Sequence, residues 1–370
     1  MCRIRRNACS SRAGEVSRAG ALLVTGSITA DLTEIAEVVH RAALTGQSLC
    51  IRGGGSKGFL GRDLNHLKVL DIKGLTGIVD YDPSELVLQV RSGTPLQEIK
   101  LLLASENQML AFDPPGFVDA TIGGTISTGL SGSRRPYAGA ARDFVLGIDV
   151  INGMGEHLSF GGQVIKNVAG YDASRLMVGS MGCLGIVTEV SLKVLPRPEV
   201  EETRAISVSA SVALDSMLQL SSHSQLVSAT AFYQDRLYAR FSGAEKSVKS
   251  EVDSFGGETV DPGWWHSIDT LTLFDAASEL WRVSGAPNCR SFLAEAVLID
   301  WGGGQRWLVN PAKDPRPESS SDDHATLIKG NSTEEKYQPL TASVERIHQG
   351  LKKQFDPKGI LNPHKMYASF

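Results

Sequence analysis

The sequence has few cysteines, and they are far apart. Its 370 residues contain five, and no two of them form a C-x-x-C pair. A disulfide framework, a zinc site and an iron–sulfur cluster all need more closely spaced thiols, about four of them for a cluster. We therefore expect none of the three, and we interpret the cysteines as reduced thiols of a cytosolic protein.

Long apolar runs, an excess of basic residues and paired histidines are also missing. No run of about 18 apolar residues occurs, the length typical of a membrane-spanning helix. The net charge is −4, whereas nucleic-acid-binding domains usually carry a basic face. The eight histidines form no H-x-H or H-x-x-x-H pair. We therefore expect no membrane span, no nucleic-acid partner and no bound metal, and we assign no histidine to catalysis.

Composition and prolines divide the chain into four parts. Residues 1–28 carry five arginines and a single acid, and we expect a disordered or spurious extension there. Residues 29–197 are predicted to form a first domain, which ends where Pro196 and Pro198 interrupt the pattern. Residues 198–340 form a second domain, and residues 341–370 form a final helix and tail.

Apolar periodicity predicts mixed helices and strands. In the second helix, Thr94 is the expected N-cap, Pro95 the first helical residue and Gln97 the partner that completes a capping box. Residues 310–331 are rich in proline, serine and aspartate and are predicted to form a mobile loop. Other helices are predicted over residues 31–45, 244–255 and 341–355, and strands over 49–51, 69–72, 78–81, 86–90, 145–151, 186–195, 228–232 and 237–241.

Glycine is abundant and clustered. The chain has 38 glycines, against an average of about 7% of residues. They concentrate in three segments at strand ends, 52–61, 112–132 and 179–185. A dinucleotide pyrophosphate needs several backbone N–H donors at close range, and glycine lets the backbone approach it. Together the segments predict one long ligand that is contacted at several places.

The first segment has a formal G-x-G-x-x-G pattern at Gly53, Gly55 and Gly58. A Rossmann turn must open a helix, and the residues that follow do not begin one. A tight turn between strands would explain the glycines without any ligand. Ser56 and Lys57 nevertheless favour a phosphate site, because they add a hydroxyl donor and a positive charge.

The three segments resemble the FAD loops of the vanillyl-alcohol-oxidase/p-cresol-methylhydroxylase (PCMH) family of flavoproteins. The matching stretches are RGGGSKGFLG, DPPGFVDATIGGTISTGLSG and GSMGCLGIVTEV. Over roughly residues 23–370, the chain also resembles the family of FAD-binding E subunits of bacterial glycolate oxidases, through SGSRRPYAGAARDFVLG, FGGQVIKNVAGYDASRLMVGS, LIDWGGGQRWL and DPKGILNPHKMYASF. Two positions depart from the pattern: Met181-Gly182-Cys183 replaces Glu-Gly-Thr, and His364 replaces a more usual glycine.

The resemblance implies an α+β fold, in which a smaller α+β cap domain covers a two-lobed PCMH-type FAD-binding domain. It implies non-covalent FAD, because Ser56 and Lys57 stand where a linking histidine would be expected. It assigns Gly53, Gly54, Gly55, Ser56 and Lys57 to the pyrophosphate, Pro115, Gly116, Thr121, Gly123, Gly124, Thr128 and Gly129 to the middle of FAD, Gly179, Gly182, Gly185, Ile186 and Val187 to the adenosine, and Asn362 to the flavin end.

The resemblance also implies that glycolate, a 2-hydroxy acid, is oxidised to glyoxylate by a complex. A second flavoprotein and an iron–sulfur subunit would complete the complex, and the cytoplasmic chain would reach the inner membrane only through them. This chemistry needs a cation for the carboxylate, a base for the hydroxyl proton and the flavin as hydride acceptor. Arg134, Arg135 and Arg142 are candidates for the carboxylate, although they could equally brace loops or a subunit contact.

Two alternatives stay open. The chain could carry FAD only as a structural or electron-relay subunit, or it could be a stand-alone FAD-dependent alcohol oxidoreductase. Related 2-hydroxy-acid dehydrogenases carry clustered histidines in the cap, and this chain lacks such a cluster, which favours a subunit. Lys166, Tyr171 and Asp172 are interpreted as part of a structural turn rather than as catalytic residues.

Overall fold

The computed structural model describes residues 31–162, 173–317, 323–330 and 335–370. The extension expected at residues 1–28 lies outside these ranges, and so do Lys166, Tyr171 and Asp172. The described residues combine helices with four β-sheets, which confirms the predicted α+β class.

A small lobe surrounds the first helix. Asp31 accepts a hydrogen bond from the Thr33 N–H at the start of this helix, and Gly46 ends it with a left-handed φ of 68°. The buried face of the helix packs against a two-stranded parallel sheet and against Leu361 of the C-terminal tail. The elements are α1 (Leu32–Thr45), β1 (Leu49–Arg52) and β2 (Lys68–Asp71).

The next lobe contains a five-stranded antiparallel sheet with short helices against it. Its elements are β3 (Ile78–Asp82), β4 (Val87–Arg91), α2 (Leu96–Ser105), β5 (Gln108–Met109), α3 (Ile122–Thr128), α4 (Arg135–Ala138), α5 (Ala141–Phe144), β6 (Val145–Ile151), β7 (His157–Gly161), α6 (Ala173–Met177), β8 (Ile186–Lys193) and β9 (Leu195–Pro196). The strand order is β3-β4-β8-β6-β7, and β5 pairs separately with β9. Strand β8 is buried on both faces, so it reads as a nearly continuous apolar run in the core.

An eight-stranded antiparallel sheet follows, which we call the cap. Its elements are β10 (Val200–Ser207), α7 (Ala210–His223), β11 (Val227–Tyr233), β12 (Arg236–Gly243), α8 (Glu245–Phe255), β13 (Glu258–Val260), α9 (Gly263–Asp269), β14 (Leu280–Ser284), β15 (Leu298–Asp300), β16 (Gln305–Val309) and β17 (His324–Lys329), with short 3-10 turns at Thr272–Phe274 and Trp301–Gly303. The strand order is β13-β10-β12-β11-β15-β16-β14-β17. Helix α10 (Ala342–Phe355) then leads into the tail.

Apolar packing joins the cap to the preceding lobes. Trp265 and Trp307 of the cap share one buried cluster with Leu60, Met181 and Cys183, which come from the first and third glycine-rich segments. The cap is therefore held directly against the loops predicted to bind a ligand.

The start of α2 differs from the prediction. The helix begins at Leu96, and Pro95 occupies the cap position without a side-chain hydrogen bond. Thr94 Oγ1 instead accepts a hydrogen bond from the Gly77 N–H at 2.9 Å. A partner brought close by the tertiary fold therefore replaces the local capping box.

Two segments predicted as loops contain regular structure. Residues 310–331 include β17, whose four central residues are buried beside β14, because a short apolar run lies hidden among the polar residues. Residues 112–132 include α3, at whose start Thr121 accepts a hydrogen bond from the Gly124 N–H at 3.2 Å. Glycine disfavours helices, but burial of Ile122 and Ile126 overrides that local preference.

Candidate functional site

A cleft of about 760 Å³ lies between the glycine-rich segments and the tail, and we call it the glycine cleft. This volume falls in the range of about 300–1,000 Å³ that is common for cofactor sites. Four cationic side chains and two carboxylates line it, so its walls carry an excess of positive charge. The predicted cofactor residues that line it are Gly53, Gly54, Gly55, Ser56, Lys57, Thr121, Gly123, Gly124, Thr128, Gly182 and Asn362.

Two glycines lie where the loops that line the cleft approach each other closely. A Cβ on Gly54 would collide with the backbone carbonyl of Asp119, and a Cβ on Gly182 would lie 2.8 Å from Asn362 Nδ2. A side chain at either position would push two loops apart. Glycine is thus required here by contacts between loops, a reason that the sequence alone did not reveal.

Asn362 ties three segments together at one end of the cleft. Its Oδ1 accepts a hydrogen bond from the Ile51 N–H at 2.7 Å, and its Nδ2 donates to the Met181 carbonyl at 2.7 Å. Its backbone N–H donates to the Leu49 carbonyl at 3.0 Å. The tail therefore closes the cleft against both β1 and the third glycine-rich segment.

Lys57 is a buried cation that lines the cleft. Its side chain is 8% exposed and forms no ion pair with any residue that the structure describes. Its ammonium group lies 5.8 Å from the centre of the Phe117 ring. Burial, together with Lys100, lowers the pKa of Lys57 to about 8. Such an unpaired charge is unfavourable by itself and would be stabilised by a bound anion.

Several polar residues of the cleft were not predicted. Arg52 Nη2 donates to Asn65 Oδ1 at 2.6 Å, and Lys365 Nζ donates to the Arg62 carbonyl at 2.8 Å. Arg52 and Lys365 lie within the quoted motifs, so closer attention to charge would have found them. Lys336, which also lines the cleft, lies outside every motif and only the fold brings it there.

The remaining predicted cofactor residues do not line the cleft. Ile186 and Val187 are 0% and 2% exposed, because β8 lies between β4 and β6 with both faces covered. Gly129 and Gly179 pack against each other, and Gly185 packs against β6. Gly116 lies beside His266, and Pro115 lines a second, smaller cavity. In this structure none of these residues forms part of the wall of the glycine cleft.

The three arginines proposed for a carboxylate are not brought together. Arg134 is buried and forms an ion pair with Glu201. The Arg135 guanidinium lies over the Trp301 ring, 4.2 Å from its centre. Arg142 is exposed. None of the three lines the glycine cleft or the smaller cavity.

The smaller cavity, of about 40 Å³, lies where the cap meets the loops. Residues 57–58 and 118–119 line the glycine cleft, whereas residues 59–60, 115 and 117 line this cavity, so the two spaces are neighbours. Polar groups from the cap reach into the cavity, among them Arg282, Asp300 and Gln305.

Comparison with known proteins identifies the family. The chain is 42% identical over 339 residues to "Glycolate oxidase subunit GlcE" of Escherichia coli (strain K12), and the match covers 90% of the chain and 96% of that relative. The chain belongs to the GlcE family. Residues 28–161 also match the family described as "FAD binding domain", so this GlcE family member carries an FAD-binding domain. Both findings confirm the resemblance inferred from the glycine-rich segments.

Other relatives match this member of the GlcE family only in part. "Glycolate oxidase subunit GlcD" of Bacillus subtilis (strain 168) is 37% identical over 36% of the chain, which is 29% of that relative. "D-lactate dehydrogenase" of Anaerostipes hadrus is 36% identical over 35% of the chain and 27% of its own length. A solved structure of alkyldihydroxyacetonephosphate synthase shares the fold, with a TM-score of 0.62 at 17% identity over 89% of the chain and 74% of its own.

Metal-binding and membrane-spanning features were also sought in the described residues of this GlcE family member. No group of three or more histidine, cysteine, aspartate or glutamate side chains is arranged there to hold a metal ion. No helix in the same residues is both long and apolar enough to cross a membrane.

Proposed function

We propose that this chain is the FAD-binding subunit of a glycolate oxidase, which oxidises a 2-hydroxy acid at its CH–OH group. The observation that carries the proposal is the nearly end-to-end match to a glycolate oxidase subunit. The positive, glycine-lined cleft with its unpaired Lys57 supports it from the structure. Partial matches to GlcD and to a D-lactate dehydrogenase point to the same substrate class.

The residues of the glycine cleft fit a dinucleotide. Gly53, Gly55 and Ser56 would meet the pyrophosphate, and Lys57 would supply the charge that neutralises it. Bound FAD would supply the acceptor for the hydride, which carries two electrons from the substrate carbon. The chain's own residues would bind and orient the cofactor, and the cap would cover the flavin end and limit its contact with water.

We propose that the FAD is non-covalent. No histidine lines the cleft within the described residues, and Cys50 is the one thiol that lines it there. Precipitating the holoprotein with acid should release all of the yellow colour into the supernatant. Colour that stays in the pellet would contradict the proposal. If the pellet of Cys50→Ala were then colourless, Cys50 would be the attachment site.

The proposed complex also contains a second flavoprotein, similar to GlcD, and an iron–sulfur subunit. The five scattered cysteines offer no set of four thiolates for a cluster, so electrons leaving the flavin would pass to partner subunits. The chain is proposed to lie in the cytoplasm and to meet the inner membrane only through those subunits. We propose the domain boundaries that the sequence analysis predicts, 29–197, 198–340 and 341–370, so that the cap sheet begins after residue 197.

The test is dye reduction by glycolate, with the chain alone compared with the chain co-expressed with both partner subunits. We expect slow or no turnover alone and clear turnover in the complex. Comparable turnover in both samples would favour a stand-alone FAD-dependent alcohol oxidoreductase.

A second candidate is a structural or electron-relay subunit that carries FAD without binding substrate. The engagement of Arg134 with Glu201 favours it, because one predicted carboxylate ligand is already neutralised. Anaerobic glycolate, added to the FAD-loaded chain alone, tests this candidate. Bleaching of the flavin absorbance would exclude the relay role.

A further inference from the structure

Arg282 is a cation without a hydrogen-bond or ion-pair partner among the residues that the structure describes. It lies on β14, between Trp307 of β16 and Thr326 of β17 in the cap sheet, and it lines the smaller cavity. Protein surrounds this side chain, yet part of its surface remains accessible.

Two other arginines in this region, Arg240 and Arg134, have carboxylate partners, whereas Arg282 has none among the described residues. Arg240 contacts Asp113 at 3.1 Å, and Arg134 pairs with Glu201. Within the described parts of the chain, Arg282 makes neither a hydrogen bond nor an ion pair. Burying a guanidinium unpaired costs several kcal/mol, so such a group usually serves a ligand or a switch.

The cavity also contains an unused acceptor. Gln305 Nε2 donates to both carboxylate oxygens of Asp300, at 2.9 and 3.2 Å. This pairing fixes the amide and leaves Gln305 Oε1 buried with no partner among the described residues. A strong donor and a buried acceptor are thus both available on one cavity wall.

Two carboxyl groups line the same cavity without cancelling the positive charge of Arg282. Burial raises the pKa of Asp300 to about 7, and burial together with Asp113 raises the pKa of Asp269 well above its usual range. Burial thus disfavours the charged form of both groups, which reduces the negative charge that they bring to the cavity. The remaining preference of the cavity is for an anion.

We propose that this cavity binds the carboxylate of a small 2-hydroxy acid on Arg282, with the acid's hydroxyl donating to Gln305 Oε1. Its volume of about 40 Å³ holds about three waters, which suits an acid of two or three carbons. The choice of glycolate as ligand rests on the proposed function, whereas the affinity for a small carboxylate does not. The site differs from the arginines that the sequence suggested.

Tryptophan fluorescence can report binding independently of the flavin, because Trp301 and Trp307 line the cavity. The full-length, FAD-loaded chain is titrated with glycolate, with oxalate as a non-oxidisable probe, and with glycolamide as an uncharged analogue. We expect saturable responses to glycolate and oxalate, and binding of glycolamide weaker by on the order of ten- to hundredfold. This comparison needs no variant, so a folding defect cannot obscure it.

Variants then locate the charge. Arg282→Met should weaken oxalate binding by on the order of ten- to hundredfold, and Arg282→Lys should weaken it less, because the charge remains while the two-pronged geometry is lost. The matched control is Arg142→Met, since Arg142 is exposed and lines neither space. It should bind oxalate like the unmodified chain.

The outcomes separate this inference from the proposed function. A chain that retains FAD but gives equal responses to glycolate and glycolamide, or no response to either, would overturn the carboxylate site and leave the FAD role intact. Loss of binding in Arg142→Met with normal binding in Arg282→Met would also overturn it. A chain without FAD that still binds oxalate through Arg282 would support the site and count against the flavin function.

Discussion

His364 adopts a backbone conformation that glycine usually supplies. Its φ is 59°, and Met181 and Asn362 near it are also left-handed, at 53° and 39°. Left-handed backbone is uncommon outside glycine, asparagine and aspartate. The backbone at residue 364 therefore keeps the conformation that a glycine would adopt, and histidine adopts it with some strain.

Replacing His364 with glycine should relieve that strain. The side chain is exposed, so little contact is lost, and we expect the free energy of unfolding to rise by about 0.5–1 kcal/mol. Urea denaturation measures the change. Gly46→Ala, at a left-handed helix end with open space around it, is the matched opposite and should lose about 1–2 kcal/mol. A loss of stability in His364→Gly would mean that the imidazole has a role.

Lys57 should make FAD affinity depend on pH. Its pKa is about 8 without a ligand, and a pyrophosphate would raise it, so binding takes up a proton above that pH. Affinity should be highest below pH 8 and fall by up to about tenfold for each further pH unit, until the pKa of the bound state is reached.

Two variants test the origin of this dependence. Lys57→Met should bind FAD more weakly by on the order of ten- to hundredfold with little slope. Lys57→Arg should also lose the slope, because its charge persists. Fluorescence titration of the apoprotein with FAD between pH 7 and about 10 measures both. An unchanged slope in either variant would assign the proton to another group.

Among the elements, the tail has a larger role than its length suggests. Residues 360–362 pair with the start of β1, and Asn362 extends this contact to the third glycine-rich segment. The short tail thus links the small lobe, the cleft and the cap. Damage to this link should affect the cofactor before it affects the rest of the fold.

Asn362→Ala should destabilise the chain and weaken FAD binding. The change leaves the Ile51 N–H and the Met181 carbonyl without partners, at about 1–3 kcal/mol for each. Asn362→Asp keeps the acceptor for Ile51 but cannot donate to Met181 when ionised, so its effect should be intermediate. Thermal unfolding with and without FAD measures both variants. Equal stability of all three proteins would show that the tail is not a structural link.

The sequence predicted elements well where a local pattern decides them, as in α1 with Asp31 and Gly46 at its ends. It failed where a distant partner decides, as at Thr94, which contacts Gly77 instead of capping a helix. Glycine motifs predicted much of the lining of the glycine cleft, whereas Lys336 of the cleft and Arg282 of the smaller cavity could not be found from the sequence. Both residues lie far along the chain from the loops that they face.

At the scale of the whole molecule, buried charges connect the cap to the second lobe. Arg240 on β12 is 5% exposed and contacts Asp113 of the second glycine-rich segment at 3.1 Å and Glu201 of β10 at 3.8 Å. Although burial alone would raise it, Arg240 and Arg134 lower the pKa of Glu201. The stability that the ion pairs of Glu201 contribute should be fully present above the usual glutamate pKa. It should be lost as the pH falls through the lowered pKa of Glu201 in the folded protein.

Arg240→Met should separate the cap from the loops. It leaves the partly exposed Asp113 without its ion pair, whereas Glu201 keeps Arg134, so we expect a loss of about 1–3 kcal/mol. Arg236→Met is the control on the same strand: its partner Glu258 is 79% exposed, and surface pairs contribute about 0–1 kcal/mol. Chemical denaturation of both variants measures the difference. Similar losses in the two would show that the buried network does not hold the cap.

The pairing of the tail with β1 also sets an order of events during synthesis. Ile51 and Asn362, which share a hydrogen bond, are 311 residues apart in the chain, and the entire cap lies between them. A ribosome that has made only the first two lobes has therefore produced a cofactor site with one wall missing. Because domains tend to fold in the order in which they emerge, FAD should be captured late, after the cap is in place, and a truncated nascent chain should carry none.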